Sequence, residues 1–334
     1  MWASFLISMR RRVVFSQSGP HRLRRGAHRP RTLFLVLAFV VIHVVWGSTY
    51  LAIRYAVETI PPLLVAGLRH IVAGSLLLAW AWSQGYRPAP REWRSSLLLG
   101  LLYFAVGHGS LHWAETVVPS GLAALLVASE PIWIALMALV ISQGERLTIR
   151  TSAGLVLGVA GVALLMRNQS RAGDQAVLIG AIAILLGTFS WSVGVHFSRS
   201  HSLPRNVAAR AGMPEITGAV ILLAVAGGTG EFTRLHLAAV SLRSVLALLY
   251  LIAFGSMLAF TAYTWLLDHA SPTLVATHTY VNPVIAVLLG WLGAGEVMDF
   301  RVLLAASLTL VAVFLISRGT ARSSPDLAEE AEAA

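Results

Sequence analysis

The chain has 334 residues, 57% of them hydrophobic and 12% charged, with a mean hydropathy of +0.73 and a net charge of +10. Soluble domains carry roughly 25% charged residues and interrupt their apolar runs at helical or strand period. A soluble fold is therefore excluded, and lipid must cover much of this surface.

The basic excess does not point to nucleic acid. All 25 basic residues are Arg, eight of them lie in the first 31 residues, and most of the rest sit between apolar runs. Cytoplasmic loops of membrane proteins are built this way, and no recognition-helix or aromatic-plus-basic sheet pattern accompanies them. Cysteine is absent, which removes disulfides, thiolate metal sites and thiol nucleophiles.

Residues 1–32 read as an Arg-rich cytoplasmic arm. Their charge follows the short apolar opening from Trp2 to Ile7, the reverse of the order in a signal peptide. A disordered arm or a start codon set too far upstream is preferred to a lipid-binding patch. Ten apolar runs follow, near 33–53, 60–82, 95–113, 117–141, 152–166, 176–198, 207–228, 243–266, 271–293 and 301–317. A spanning helix needs about 20 residues, so the fifth and tenth runs are short. Short connections make successive helices antiparallel neighbours. The tail, 318–334, turns polar and acidic and is predicted to be disordered. With the N-terminus inside, 18 Arg fall on inside segments and 6 on outside ones, so both termini are predicted to be cytoplasmic.

The runs repeat. Trp46 and Trp191 are 145 residues apart, as are Ala66-Gly67-Leu68 and Ala211-Gly212-Met213. Leu101-Leu102-Tyr103 matches Leu248-Leu249-Tyr250, Pro131 matches Pro283, and Gly144-Glu145 matches Gly295-Glu296, at offsets of 147 to 152. The order never breaks, as expected of a duplicated unit. Five spans per unit is an odd number, so the second copy is inverted, a design in which substrate sites lie at the midplane between halves.

The segment Val44-Val45-Trp46-Gly47-Ser48-Thr49-Tyr50-Leu51-Ala52-Ile53-Arg54 resembles the first span of the drug/metabolite transporter superfamily, EamA-domain family, and its YedA-like exporters. Pro61-Pro62, Ala66-Gly67-Leu68-Arg69 and the run from Tyr280 to Gly290 with Glu296 extend the likeness over residues 33–317. The resemblance implies an all-α polytopic fold of ten transmembrane helices in two EamA repeats, 33–167 and 176–317. It also implies export of small metabolites or drugs from the bacterial inner membrane. Pro131 to Glu145 is one residue longer than Pro283 to Glu296, so the loop after the fourth span departs from the pattern.

Ionisable residues inside spans cost at least about 2.5 kcal/mol, so each is a candidate. Arg69 must face the interior, paired with a carboxylate or with an anionic substrate group. His70, on another face, reads as interfacial or packed. Glu130 before Pro131 and Asn282 before Pro283 stand where proline frees a backbone carbonyl. Glu130 is the carboxylate chosen for proton or cation coupling; a structural counter-ion to Arg69 is its alternative. Glu215, after Pro214, is expected to share a cavity with Arg69. Trp46 and Trp191 are placed on the cavity wall, with Tyr50, Tyr263 and Tyr280 as further aromatic candidates.

His108, His112 and Glu115 follow helical spacing. Two His at i, i+4 can share a metal ion, but further ligands are not evident. A polar pathway or interhelical hydrogen bonds is preferred, with Glu115 at the outer interface. The single histidines His43, His196 and His278 read as packing or hydrogen-bonding residues. Gly154, Gly158 and Gly161 read as close-packing positions.

The expected activity is secondary transport, proton-coupled or facilitated. The partners are a small-molecule substrate, membrane lipids and protons, and a homodimer is compatible with the pattern; no cofactor or metal is called for. An intramembrane enzyme and a lipid-handling protein are the alternatives. Against the enzyme, H-E-x-x-H and G-x-S-x-G are both absent.

Overall fold

The computed structural model describes residues 32–141, 149–166, 172–200, 203–270, 275, 278–297 and 299–320. The predicted arm, most of the tail and the loop carrying Gly144-Glu145 lie outside the described residues. Everything regular among the described residues is helical. The helices are α1 (Thr32–Ala56), α2 (Pro62–Ser83), α3 (Pro90–Ala114), α4 (Ser120–Val127), α5 (Glu130–Ile141), α6 (Ile149–Met166), α7 (Ala172–Ser200) and α8 (Val207–Gly228). The short α9 (Glu231–Arg234), α10 (242–269), α11 (His278–Ala294) and α12 (Phe300–Thr320) follow.

Six of these, α1, α2, α3, α7, α8 and α10, are long and apolar enough to cross a membrane. Each leaves much of its apolar surface uncovered: Leu76 and Trp80 on α2 are exposed, as are Leu246 and Leu249 on α10. Only a lipid solvent makes such faces tolerable.

Helix boundaries follow local chemistry. Pro62 opens α2, where its missing N–H costs nothing. The side chain of Asn206 accepts from Ala209 N at 3.1 Å to start α8, and Ser241 does the same for Ser244 N at the start of α10. Two other starts are capped from distant segments. Glu231 accepts from Leu64 N at 2.9 Å, and Glu296 accepts from Ser120 N, Ser120 Oγ and Gly121 N at 2.6, 2.7 and 2.9 Å. Acidic groups suit these positions, because helix N-termini carry unpaired N–H groups and partial positive charge.

Two features differ from the expected continuous spans. The fourth run is two helices, broken at Ala128 and Ser129 just before Glu130-Pro131. In α3 and α10, the stretches Gly100–His108 and Leu251–Phe260 are π-helical, with wider i→i+5 turns. They begin 151 residues apart, in step with the sequence repeat.

Packing is reciprocal between the halves. α2 lies along α8, α1 along α11, α3 along α7 and α8, α5 along α7, and α6 along α12. At the α2–α8 crossing, Gly74 and Gly212 face each other so closely that a Cβ on either would stand 2.7 Å from the other's carbonyl oxygen. Gly158 is covered by Ile132 and Ala312, and Gly161 by Thr309 and Ala305, which makes both close-packing sites.

Two apolar cores result. One gathers Ile53, Leu64, Leu126 and Leu251; the other gathers Leu77, Phe104, Met213 and Phe260. On α2 and α10 the polar residues Arg69, His70 and Ser256 fall between the residues given to the two cores.

Candidate functional site

Between the cores lies a cavity of about 90 Å³ lined by α1, α2, α3, α4, α5, α7 and α11. Trp46 and Trp191 line it, as do Glu130 and Asn282, so two pairs of repeat-equivalent residues face one space. Tyr50 and Arg69 complete the predicted residues on this wall. A second hollow of about 530 Å³, bordered by Pro62, Ser110, Trp113 and Arg234, holds none of the candidates.

The tryptophans are held firmly. The indole N–H of Trp46 donates to Gly255 O in the π segment of α10 at 3.2 Å, and its ring packs on Tyr263 and His278 at 5.0 Å each. Trp191 stacks on His108 at 5.4 Å with the ring planes 17° apart, and lies 4.3 Å from Tyr103. Such faces offer flat apolar contact at fixed positions.

Arg69 is 2% exposed. Its Nε–H donates to Ser256 Oγ at 2.8 Å, and among the described residues no carboxylate pairs with its guanidinium. Among the described residues Arg69 has no ion pair with Glu130, and both side chains line the same wall. Gly255 makes room for the guanidinium, since a Cβ there would stand 2.8 Å from Nη2.

Two predicted residues stand elsewhere. Glu215 is fully buried beside His70, with His70 Nδ1 to Glu215 Oε2 at 3.6 Å, and is absent from the cavity lining. Tyr263 lies behind Trp46 and supports it. The side chain of Tyr280 lies outside the described residues. Glu115 is wholly buried, and Arg54 Nη1 on α1 donates to its backbone oxygen at 2.6 Å. Of the two readings of His70, the packed one holds: the side chain is fully buried, its ring lies 4.5 Å from that of Phe104, and its Nε2 meets His108 Nδ1 at 2.8 Å.

Thr49, Thr188 and His278 line the cavity and were not picked from sequence as lining residues; His108 lines it too, and its bond to His70 is an interhelical hydrogen bond of the kind expected for the His108–His112 face. For His108 a signal existed, the spacing with His112, but its partner on α2 is invisible without the fold. Among the described residues no group of three or more His, Asp and Glu is arranged to hold a metal ion.

Known proteins resemble this chain. The inner membrane transporter YedA of Escherichia coli (strain K12) is 37% identical over 288 residues, covering 84% of this chain and 90% of YedA. Protein PagO of Salmonella typhimurium is 27% identical, covering 78% of this chain and 84% of PagO. The transporter YoaV of Bacillus subtilis is 24% identical, covering 84% and 96%. A solved structure described as "Crystal structure of protein" has a TM-score of 0.59 and 20% identity over 89% of this chain and all of its own, a likeness of fold alone. The sequence model of the EamA-like transporter family matches twice, at residues 33–167 and 178–318. The chain is a multi-pass membrane protein of the EamA-like transporter family, in the drug/metabolite transporter superfamily.

Proposed function

We propose that the protein is a secondary transporter that exports small metabolites, such as amino acids, or drugs from the cytoplasm by alternating access. Ten spans form two inverted five-helix repeats, with both termini cytoplasmic. The observation that carries this reading is the cavity itself, where Trp46 with Trp191, and Glu130 with Asn282, bring repeat-equivalent residues to one space. Reciprocal packing supports it: α1 lies on α11 as its repeat counterpart α7 lies on α5, and α10 lies on α2 as α3 lies on α8. Arg69 suits a carboxylate, Glu130 suits an ammonium or a proton, and the indoles suit an apolar or aromatic body between them.

At about 90 Å³ the cavity is smaller than the roughly 300–1,000 Å³ that drug-sized ligands occupy. Substrate entry therefore requires the bundles to part, as rocking of one repeat against the other provides. The test is uptake of labelled amino acids and cationic drugs by proteoliposomes, with and without a pH gradient. Flux of at least one compound, driven by the gradient in wild type and lost in folded Glu130→Gln, is expected. Absence of flux for every compound, with hydrolysis of a lipid or peptide instead, would overturn the reading in favour of an enzyme.

A further inference from the structure

Beneath the cavity wall lies a file of polar side chains that substrate contact does not explain. His108 lines the cavity, and its Nδ1 is bonded to His70 Nε2 at 2.8 Å, which leaves Nε2 on the other edge of the ring. His70 is fully buried, and its Nδ1 stands 3.4 Å from Ser256 Oγ and 3.6 Å from Glu215 Oε2. Ser256 Oγ already accepts from Arg69 Nε, so its own O–H points elsewhere. Glu215 is 0% exposed, and both its carboxyl oxygens lack a hydrogen-bond partner. A cluster that served only to hold helices together would satisfy that carboxyl, because an orphaned buried group costs stability.

The geometry points to a proton relay: His108 and His70 connect the cavity to Glu215, a proton-binding carboxyl separate from the residues that line the cavity. Its use for coupling rests on the transport reading above; the wiring itself does not. With Glu215 protonated, Ser256 donates to His70 Nδ1, His70 donates its Nε2–H to His108 Nδ1, and His108 carries its own proton on Nε2. Release moves three protons in concert. His108 gives up the Nε2 proton to the cavity, takes the His70 Nε2 proton on Nδ1, and His70 takes the Glu215 proton on its Nδ1. Glu215 is left ionised, facing His70 Nδ1–H, and each imidazole remains neutral with its tautomer exchanged. The reverse sequence reloads the carboxyl.

The surroundings suit the task. The charged and titratable groups facing His70 are Arg69 on its own helix, His108 and His112 on α3, and Glu215 on α8, while α10 contributes Ser256. Arg69 supplies the positive charge that accompanies ionised Glu215. The 3.6 Å gap between His70 and Glu215 exceeds hydrogen-bond length. It joins α2 to α8, so transfer is tied to how those two helices sit against each other. Through the π segments, α3 and α10 place His108 and Ser256 on either side of His70.

Infrared spectroscopy of the purified, full-length protein tests this without any substrate. Acidification is expected to raise a carbonyl component of a buried protonated carboxyl, absent from Glu215→Gln and retained in Glu130→Gln. After transfer to D2O the deuterium shift of that component is expected to slow at least about tenfold in His108→Gln and in His70→Asn. If Glu215→Gln does not fold, Glu215→Asp replaces it and must move the component's frequency. Three results overturn the relay: no such component in wild type, its persistence in Glu215→Gln, or unchanged exchange in both folded histidine variants. Counterflow of labelled phenylalanine at equal pH on the two sides is run in parallel. Its absence counts against transport of that probe and leaves the infrared result standing, so the two readings fail separately.

Discussion

Removing the carboxylate of Glu296 isolates the role of the second Gly-Glu motif. Glu296 reaches from beyond α11 to the start of α4 and accepts three hydrogen bonds there, from Ser120 N, Ser120 Oγ and Gly121 N. Each bond to a charged acceptor contributes about 1.5 kcal/mol or more when shielded. The carboxylate is half-buried, so water replaces part of what is lost, and Glu296→Ala is expected to cost about 2–3 kcal/mol in all. Glu296→Gln keeps a carbonyl oxygen for one or two of the bonds but turns an amide N–H2 toward the backbone donors, so it should fall between.

Unfolding of membrane proteins is commonly irreversible, and the measured quantity is then an apparent Tm at fixed scan rate. For a chain of this size the alanine variant should melt roughly 5 °C lower in the same detergent. Flux should fall as well, because α4 leads directly into Ala128 and Glu130 on the cavity wall. An alanine variant as stable as wild type, or a glutamine variant less stable than alanine, would refute the capping argument.

Two further outcomes follow from packing and charge. Gly74→Val should separate α2 from α8, because even a Cβ there would stand 2.7 Å from Gly212 O and 3.0 Å from Glu215 Cβ; a loss of about 1–3 kcal/mol, read as a lower apparent Tm, is expected, with Gly74→Ala intermediate. Arg69→Lys keeps the positive charge but loses the planar fork and the geometry of the Nε bond to Ser256; KM for a carboxylate-bearing substrate should rise about tenfold, a cost near 1.4 kcal/mol, while the apparent Tm changes little.

The membrane class, the helical spans and the duplication were legible because each is a property of composition or of order along the chain. An apolar run of about 20 residues has few other solutions in lipid, and collinear matches such as Trp46 with Trp191 survive whatever the folding. Four residues on the cavity wall carried two signals, polarity or aromaticity together with repeat equivalence: Trp46, Trp191, Glu130 and Asn282; Tyr50 and Arg69 were legible from side-chain type within a span alone. Equivalence alone misled for Glu215. Pro214 and Glu215 fall 145 residues after Arg69 and His70, yet Arg69 turns to the cavity and Glu215 lies against His70 behind it. A one-residue step on a helix rotates the side chain by about 100°, and sequence gives no origin for that rotation.

The break before Glu130 was signalled by Pro131, but the two π segments were invisible, since apolar stretches such as Leu251–Phe260 carry no residue that demands an i→i+5 turn. Likewise His70 meets His108, and Glu296 meets Ser120, across 38 and 176 residues, distances over which local propensity has no reach. By itself the sequence determined that lipid is the solvent and that one unit occurs twice. Only tertiary structure decided which polar groups face the common cavity and which face one another, because that depends on helix rotation and depth, which are set by packing.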